Sequence, residues 1–279
     1  MNGIKSFILI TGMTAVLVAL GFYWQGEMGV AIALGAGLLM NAIGYFFSDS
    51  IVLAAYRARV VGQNEAPQLY AIVANLTQRA GLPMPRIAII PDETPNAFAT
   101  GRNPDHAVVA VTEGIMRVLS RAELEGVIAH ELGHVKNRDI LIGSLAAVLA
   151  QAIMFISHMA LYFSPRDDEG RSNPLAGILM YFLGPLAAML LQMAISRSRE
   201  YMADEYAAHL TGRPDMLASA LQRISGYNAE VPMRNAEPAT AHMMIVNPLS
   251  GGGLFSLFST HPPMAKRIAR LNAMPVEAR

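Results

Sequence analysis

Residues 129–139 read AHELGHVKNRD, and His130, Glu131 and His134 in this stretch follow the pattern H-E-x-x-H. Four residues make slightly more than one turn of an α-helix, so both imidazoles lie on one face and can point at the same ion. The neighbouring residues, among them Val127 and Leu132, are mostly uncharged, which predicts a buried helix. Buried histidine and glutamate are costly unless they are paired or bound to metal. The stretch therefore predicts a metal site on a buried helix.

The composition of the chain is typical of a membrane protein rather than a soluble enzyme. Of its 279 residues, 53% are apolar and only 15% are charged, which leaves few polar side chains for a water-facing surface. A helix needs roughly 20 apolar residues to cross a bilayer. Four runs reach that length, near 6–24, 29–47, 140–163 and 175–195. We predict four transmembrane helices in two hairpins.

Basic residues predict the orientation of these spans. The connection between the first two spans carries no Lys or Arg, whereas the opposite flanks carry Arg57, Arg59, Lys136, Arg138, Arg197 and Arg199. By the positive-inside bias, both termini and both large polar segments are cytoplasmic, and the 164–174 loop is external. The formal net charge is zero and there is no basic run, so nucleic acid is excluded as a partner.

The spans divide the chain into four segments. They are an N-terminal transmembrane hairpin (1–47), a first cytoplasmic part (48–139), a second transmembrane hairpin (140–195) and a second cytoplasmic part (196–279). We expect the two cytoplasmic parts to pack as one α+β domain against the membrane. The fold class that follows is a mainly α integral membrane protein that carries this domain.

Local patterns predict several elements of the first cytoplasmic part. Leu69, Ile72, Val73, Leu76 and Ala80 have helical spacing, and Gly81 and Pro83 end that helix. The stretches RIAIIPD (86–92) and HAVVAVT (106–112) are typical of short strands. Ser120 and Glu123 form a capping-box pattern that opens the H-E-x-x-H helix.

A third metal ligand must come from elsewhere, because zinc hydrolases supply three protein ligands and leave a fourth position for water. The chain contains no cysteine. His134 lies shortly before the third span and Glu200 shortly after the fourth, so an antiparallel hairpin returns them to a similar height. Asp204 follows Glu200 by one helical turn and can orient a ligating imidazole through its second nitrogen. His209 and His261 remain alternative third ligands.

Four stretches together resemble the HtpX family of membrane zinc metalloproteases, which are relatives of the CAAX prenyl proteases. They are AHELGHVKNRD, SRSREYMADEYAA (196–208), PNAFATGR (95–102) and STHPPMAKRIARL (259–271). The resemblance spans most of the chain, and the motifs occur in family order. It implies a zincin-like (gluzincin) domain with one zinc ion per chain.

The resemblance also implies roles for individual residues. His130, His134 and Glu200 hold the zinc, Glu131 is the general base, and Asp204 orients a ligand. His261, in an HPP motif, is a candidate donor to the tetrahedral oxyanion, with Arg267 as a second candidate. The alternative for His261 is a helix-start residue ahead of Pro262 and Pro263. The remaining implied contacts are with the substrate and involve Asn96, Ala97 and Arg267, with strand addition expected at Asn96 and Ala97.

By the same resemblance, the protein cleaves misfolded or damaged membrane proteins at the cytoplasmic face of the cell inner membrane, as part of quality control and stress response. Its partners are such substrates and the lipid bilayer. Two alternatives remain. The site is either intramembrane, against which the charged residues around the motif argue, or a structural zinc site in a scaffold. A structural site has four closed ligands and needs no base, so Glu131 argues against the scaffold.

Overall fold

The computed structural model describes residues 45–139, 197–230, 243–246 and 262–276, together with isolated residues between 11 and 43. The predicted spans at 140–163 and 175–195 lie outside the described residues, as does most of the predicted hairpin before residue 48. Among the helices in the described ranges, none is both long enough and apolar enough to cross a bilayer.

A four-stranded mixed sheet forms the centre of the described part. Its strands are β1 (Arg59–Val61), β2 (Arg86–Ile90), β3 (Ala97–Thr100) and β4 (Val108–Thr112). Their spatial order is β1-β2-β4-β3, in which β2 and β4 are parallel and the other two pairs are antiparallel. Every residue of β4 is buried, as expected for an apolar strand with a neighbour on each side. β3 is an edge strand of this sheet.

Six α-helices with complete bounds lie within the described ranges. They are α1 (Pro67–Ala80), α2 (Glu113–Val118), α3 (Arg121–Lys136), α4 (Arg197–Thr211), α5 (Pro214–Glu230) and α6 (Met264–Asn272). Residues 45–55 are also helical. The H-E-x-x-H motif lies on α3, and Glu200 and Asp204 lie on α4.

The local predictions for residues 67–123 are confirmed. α1 buries Leu69, Ile72, Val73 and Leu76 and ends at Gly81, whose φ of 62° is left-handed and suits glycine. Both predicted strands are present, although the second begins only at Val108. A short 3₁₀ helix at Pro104–His106 precedes it, because the Asn103 side chain accepts a hydrogen bond from the His106 amide.

The sheet separates two apolar clusters, since alternate residues of each strand face opposite sides. The larger cluster joins Val109 of β4 to Ile128, Leu221 and Leu271 of helices α3, α5 and α6. It thus contains residues of both predicted cytoplasmic parts. The smaller cluster, on the other face, includes Val52, Tyr56, Phe98 and Met244.

Candidate metal centre

The start of α3 is fixed by a complete capping box. The Ser120 amide donates to the Glu123 carboxylate over 2.8 Å, and the Ser120 hydroxyl accepts from the Glu123 amide. The buried Glu123 carboxylate also accepts from the Ser219 hydroxyl at 2.6 Å and lies 3.0 Å from Nε of Arg223. These contacts join the first turn of α3 to α5, so the motif about two to three turns later has a fixed position.

Two glycines allow α3 to approach its neighbours closely. A Cβ atom at Gly133 would lie 3.2 Å from Cα of Ala203 on α4, and one at Gly126 would lie 3.2 Å from Cα of Leu217 on α5. Such distances are tighter than ordinary van der Waals contact. Because Glu200 precedes Ala203 by three residues, this close contact brings its carboxylate beside the two histidines of α3.

His130, His134 and Glu200 form a group whose ligand atoms all lie within 4.8 Å of one another. The two Nε2 atoms are 3.2 Å apart, and the Glu200 carboxylate oxygens lie 3.7 Å from Nε2 of His130 and 3.4 Å from Nε2 of His134. His130 is buried and only 12% of the Glu200 side chain is exposed. Two imidazoles and a carboxylate match the donor set of a hydrolytic zinc site.

Asp204 and Arg267 lie directly behind this group. Oδ1 of Asp204 is 2.9 Å from Nδ1 of His130, so the carboxylate accepts the Nδ1 proton and leaves Nε2 available for a metal. Arg267 donates to the same carboxylate through Nε at 2.9 Å and Nη2 at 2.7 Å. Its Nη1 is 3.2 Å from the Glu200 carboxylate. One arginine of α6 therefore holds both Glu200 and Asp204 of α4.

Asp139 is a contributor that the sequence reasoning did not identify. Its Oδ2 lies 3.4 Å from Nδ1 of His134, and its Oδ1 lies 3.5 Å from Nη1 of Arg199. α3 ends at Lys136, and Arg138 adopts a left-handed φ of 57°, which turns Asp139 back toward the helix. The buried Asp139 thus contacts Nδ1 of His134 in the same way that Asp204 contacts Nδ1 of His130.

Burial and neighbouring charges shift the pKa values of the group. Burial raises the pKa of Glu131 to about 7. It also lowers the pKa of His130, whereas at His134 the Asp139 and Glu200 carboxylates outweigh burial and raise the pKa to about 10. At Asp204, burial favours the neutral acid, but the Arg267 charge prevails and lowers the pKa to about 2. Asp204 is therefore ionised at neutral pH, whereas the pKa of Glu131 lies close to neutral pH.

Asn96 and Ala97 stand where β3 begins, and both are buried. The carbonyl of Ala97 accepts a hydrogen bond from the Ile245 amide at 3.0 Å. The Asn96 side chain donates through Nδ2 to the carbonyl of Val246 at 2.9 Å and accepts through Oδ1 from the Val246 amide at 3.4 Å. The predicted substrate-binding edge is thus already paired with residues 243–246 at this end.

The other predicted residues have different outcomes. His261 lies outside the described residues. His209 is exposed near the end of α4 and does not join the group of ligand atoms. Arg267, predicted to contact substrate, is fully buried and forms ion pairs with Asp204 and Glu200.

Comparison with known proteins finds relatives that match nearly the whole chain. The model of peptidase family M48 matches residues 63–275. A protease HtpX homolog of Desulforapulum autotrophicum is 53% identical over 276 residues, which cover 97% of this chain and 89% of the relative. Another from Pyrococcus furiosus is 52% identical over 278 residues, covering 98% and 96%.

A solved structure, that of S. mikatae Ste24p, has a similar fold. Its TM-score is 0.55 at 18% sequence identity, and the match covers 97% of this chain and 65% of that one. At this identity the likeness concerns the fold alone.

Proposed function

The chain belongs to peptidase family M48, among the HtpX proteases, and is a metalloprotease; from this premise we propose that it is a zinc endopeptidase in which Glu131 is the general base. The observation that supports this most directly is a buried carboxylate next to three converging ligand side chains. A structural zinc site has four protein ligands, leaves no open position for water and needs no base. The Glu131 carboxylate, with its pKa near 7, suits proton transfer at neutral pH.

His130, His134 and Glu200 fit the proposed zinc, since their donor atoms are those of a three-ligand hydrolytic centre. Zinc bound there would supply Lewis acidity, which lowers the pKa of a water molecule to about 7 and polarises the scissile carbonyl. Glu131 takes the proton from the attacking water and returns it to the leaving amine. Asp204 and Asp139 fix the rings of His130 and His134 through their Nδ1 atoms.

Removing and restoring the metal tests the proposed activity. The purified protein in detergent should cleave an unfolded membrane protein or casein, lose this activity on chelation and regain it when zinc is added. Cleavage that persists after all metal has been removed would contradict a zinc mechanism. The Glu131→Gln variant serves as the blank for contaminating proteases.

The developing oxyanion needs a second electrophile, and we assign this role to His261. Arg267 is not available, because it is buried and paired behind the ligands. His261 directly precedes the buried Pro262 and lies three residues before Met264, where α6 begins. His261→Ala should lower kcat by about 10²-fold or more, in the range for loss of one oxyanion donor, with zinc content unchanged. Near-normal turnover would leave His261 as a helix-start residue.

The substrates we propose are misfolded or damaged membrane proteins, cleaved at the cytoplasmic face of the cell membrane. The support is the apolar composition and the distribution of basic residues in the sequence. In this arrangement 1–47 and 140–195 are membrane hairpins, and 48–139 with 196–279 form the protease. The charged residues that follow the motif, such as Lys136 and Arg138, favour a site at the membrane rim over one inside the bilayer.

Reporter fusions test this topology. Fusions at Glu27 and at Gly170 should both report an external position, because each falls between two proposed spans and away from the basic flanks. A fusion after Glu230 should report the cytoplasm and serves as the control. An internal signal at either loop position would contradict the four-span arrangement.

A further inference from the structure

The outer edge of β3 leads to the catalytic carboxylate. Thr112 of β4 donates its amide to the Asn96 carbonyl, so Asn96 and Phe98 direct their backbone groups toward β4, while Ala97 and Ala99 direct theirs outward. The outward amide of Ala99 donates to the Glu131 carboxylate. The outer edge of β3 therefore runs beside the carboxylate that we assign as the general base.

Residues 243–246 already lie on this edge, held through their backbone. All four backbone polar groups of Ile245 and Val246 are engaged. The Ile245 amide and the Val246 groups contact Ala97 and Asn96, and the Ile245 carbonyl accepts from Nη1 of Arg267 at 3.1 Å. The Ile245–Ala97 contact joins two backbones, as when an extended peptide adds to a sheet edge, whereas the other contacts come from the side chains of Asn96 and Arg267. All of them engage only the backbone of the segment, so they do not depend on its side chains.

The side chains of this segment enter both apolar clusters in two adjacent pairs, since Met243 and Met244 lie with the smaller cluster and Ile245 and Val246 with the larger. Met244 packs in the cluster that contains Phe98, and Ile245 packs in the cluster on the other face with Ala97. Both side chains are at most 1% exposed. The edge thus receives apolar side chains on both faces, which defines the kind of peptide that fits it.

We propose that residues 243–246 are an internal competitor of the substrate: they occupy the place on β3 that an extended apolar peptide takes before cleavage. The inference rests on the proposed proteolysis. A substrate must displace the segment to reach Ala97, so only the fraction of molecules with the segment released binds it, and the apparent affinity falls by that fraction. The restraint acts on KM, while kcat of the bound complex is unchanged.

An engineered disulfide tests the displacement, since the chain has no cysteine of its own. The Ile245 amide and the Ala97 carbonyl are 3.0 Å apart, which brings the two backbones close to the roughly 4.4–6.8 Å between Cα atoms that a disulfide spans. The Ala97→Cys/Ile245→Cys variant should lose cleavage when oxidised and regain it when reduced, whereas each single variant should not respond to the oxidant. Equal cleavage by the oxidised and reduced forms would show that substrate is cleaved while the segment stays on β3, and would overturn the proposal.

A second variant loosens the segment without changing the edge strand. Met244→Ala removes a fully buried side chain and should lower KM about tenfold at unchanged kcat, because the occupied state loses packing. Met84→Ala, at a methionine that is 42% exposed, is the control and should leave KM unaltered. A higher KM or a lower kcat in Met244→Ala would overturn the proposal.

The two proposals fail in different ways. If the wild-type protein shows no zinc-dependent cleavage, the protease mechanism fails and the displacement fails with it. If the wild type cleaves and the tethered variant cleaves equally well, only the displacement fails.

Discussion

Glu131→Gln is expected to retain about one zinc ion per chain and to cleave almost nothing, with a loss of at least about 10²–10⁴-fold in kcat. Glutamine has the shape of glutamate but cannot accept the proton of the attacking water. Glu131 is not one of the three grouped ligand residues, so the metal should remain bound. Metal analysis and turnover of the same purified sample measure both effects.

Glu200→Gln is the matched control, since it makes the same chemical change on the neighbouring helix. Here an anionic ligand is replaced by a poor neutral one, so zinc affinity should fall together with activity. If this variant holds zinc as firmly as wild type, Glu200 is not the third ligand. If Glu131→Gln cleaves at the normal rate, the hydrolytic mechanism proposed above is incorrect.

Arg267→Met should destabilise the protein by about 3–5 kcal/mol, because it leaves the buried Asp204 carboxylate without its cationic partner. Methionine retains apolar bulk, so the change tests the charge more than the volume. Zinc affinity should also decrease, since Arg267 fixes both Asp204 and Glu200. The thermal midpoint in detergent, measured with and without zinc, reports the two effects.

Arg270→Met on the same helix is the control for Arg267→Met. Arg270 is half exposed and pairs with Glu205 at 3.6 Å, so its loss should change stability by no more than about 1 kcal/mol. Adding Asp204→Asn to Arg267→Met should recover part of the loss, because the stranded charge is then removed. Equal midpoints for Arg267→Met and Arg270→Met would contradict the coupling of Arg267 to the ligand group.

The parts of the site that follow helical spacing could be predicted from the sequence. His130 and His134 share one face of α3, and Glu200 and Asp204 share one face of α4, because residues four apart on a helix are neighbours. The capping box at Ser120 is likewise a local pattern. Such features depend on residues within one or two turns, which the sequence displays directly.

The parts that depend on long-range packing could not be predicted. Asp139 reaches His134 only because Arg138 adopts a left-handed φ, which arginine rarely does. The pairing of Ala97 with Ile245 joins residues that are 148 positions apart, and no spacing rule connects them.

The sequence pattern of α6 indicates that Arg267 is buried. On α6 the residues Met264, Ile268 and Leu271 pack against the larger cluster, and Arg267 stands on the same stripe by its spacing. A cation at a position where the pattern calls for an apolar side chain indicates a buried partner, since an unpaired charge is too costly there.

The division of the proposed zinc ligands between α3 and α4 has a consequence for biosynthesis. Glu200 follows His134 by 66 residues, and Arg267 follows Glu200 by a further 67. At roughly 5–20 residues per second, a ribosome needs several seconds to add each interval. During that time the nascent chain carries two histidines without their carboxylate ligand, and afterwards a complete ligand set without the arginine that holds it. The growing chain should thus be unable to cleave its neighbours until α6 has been synthesised.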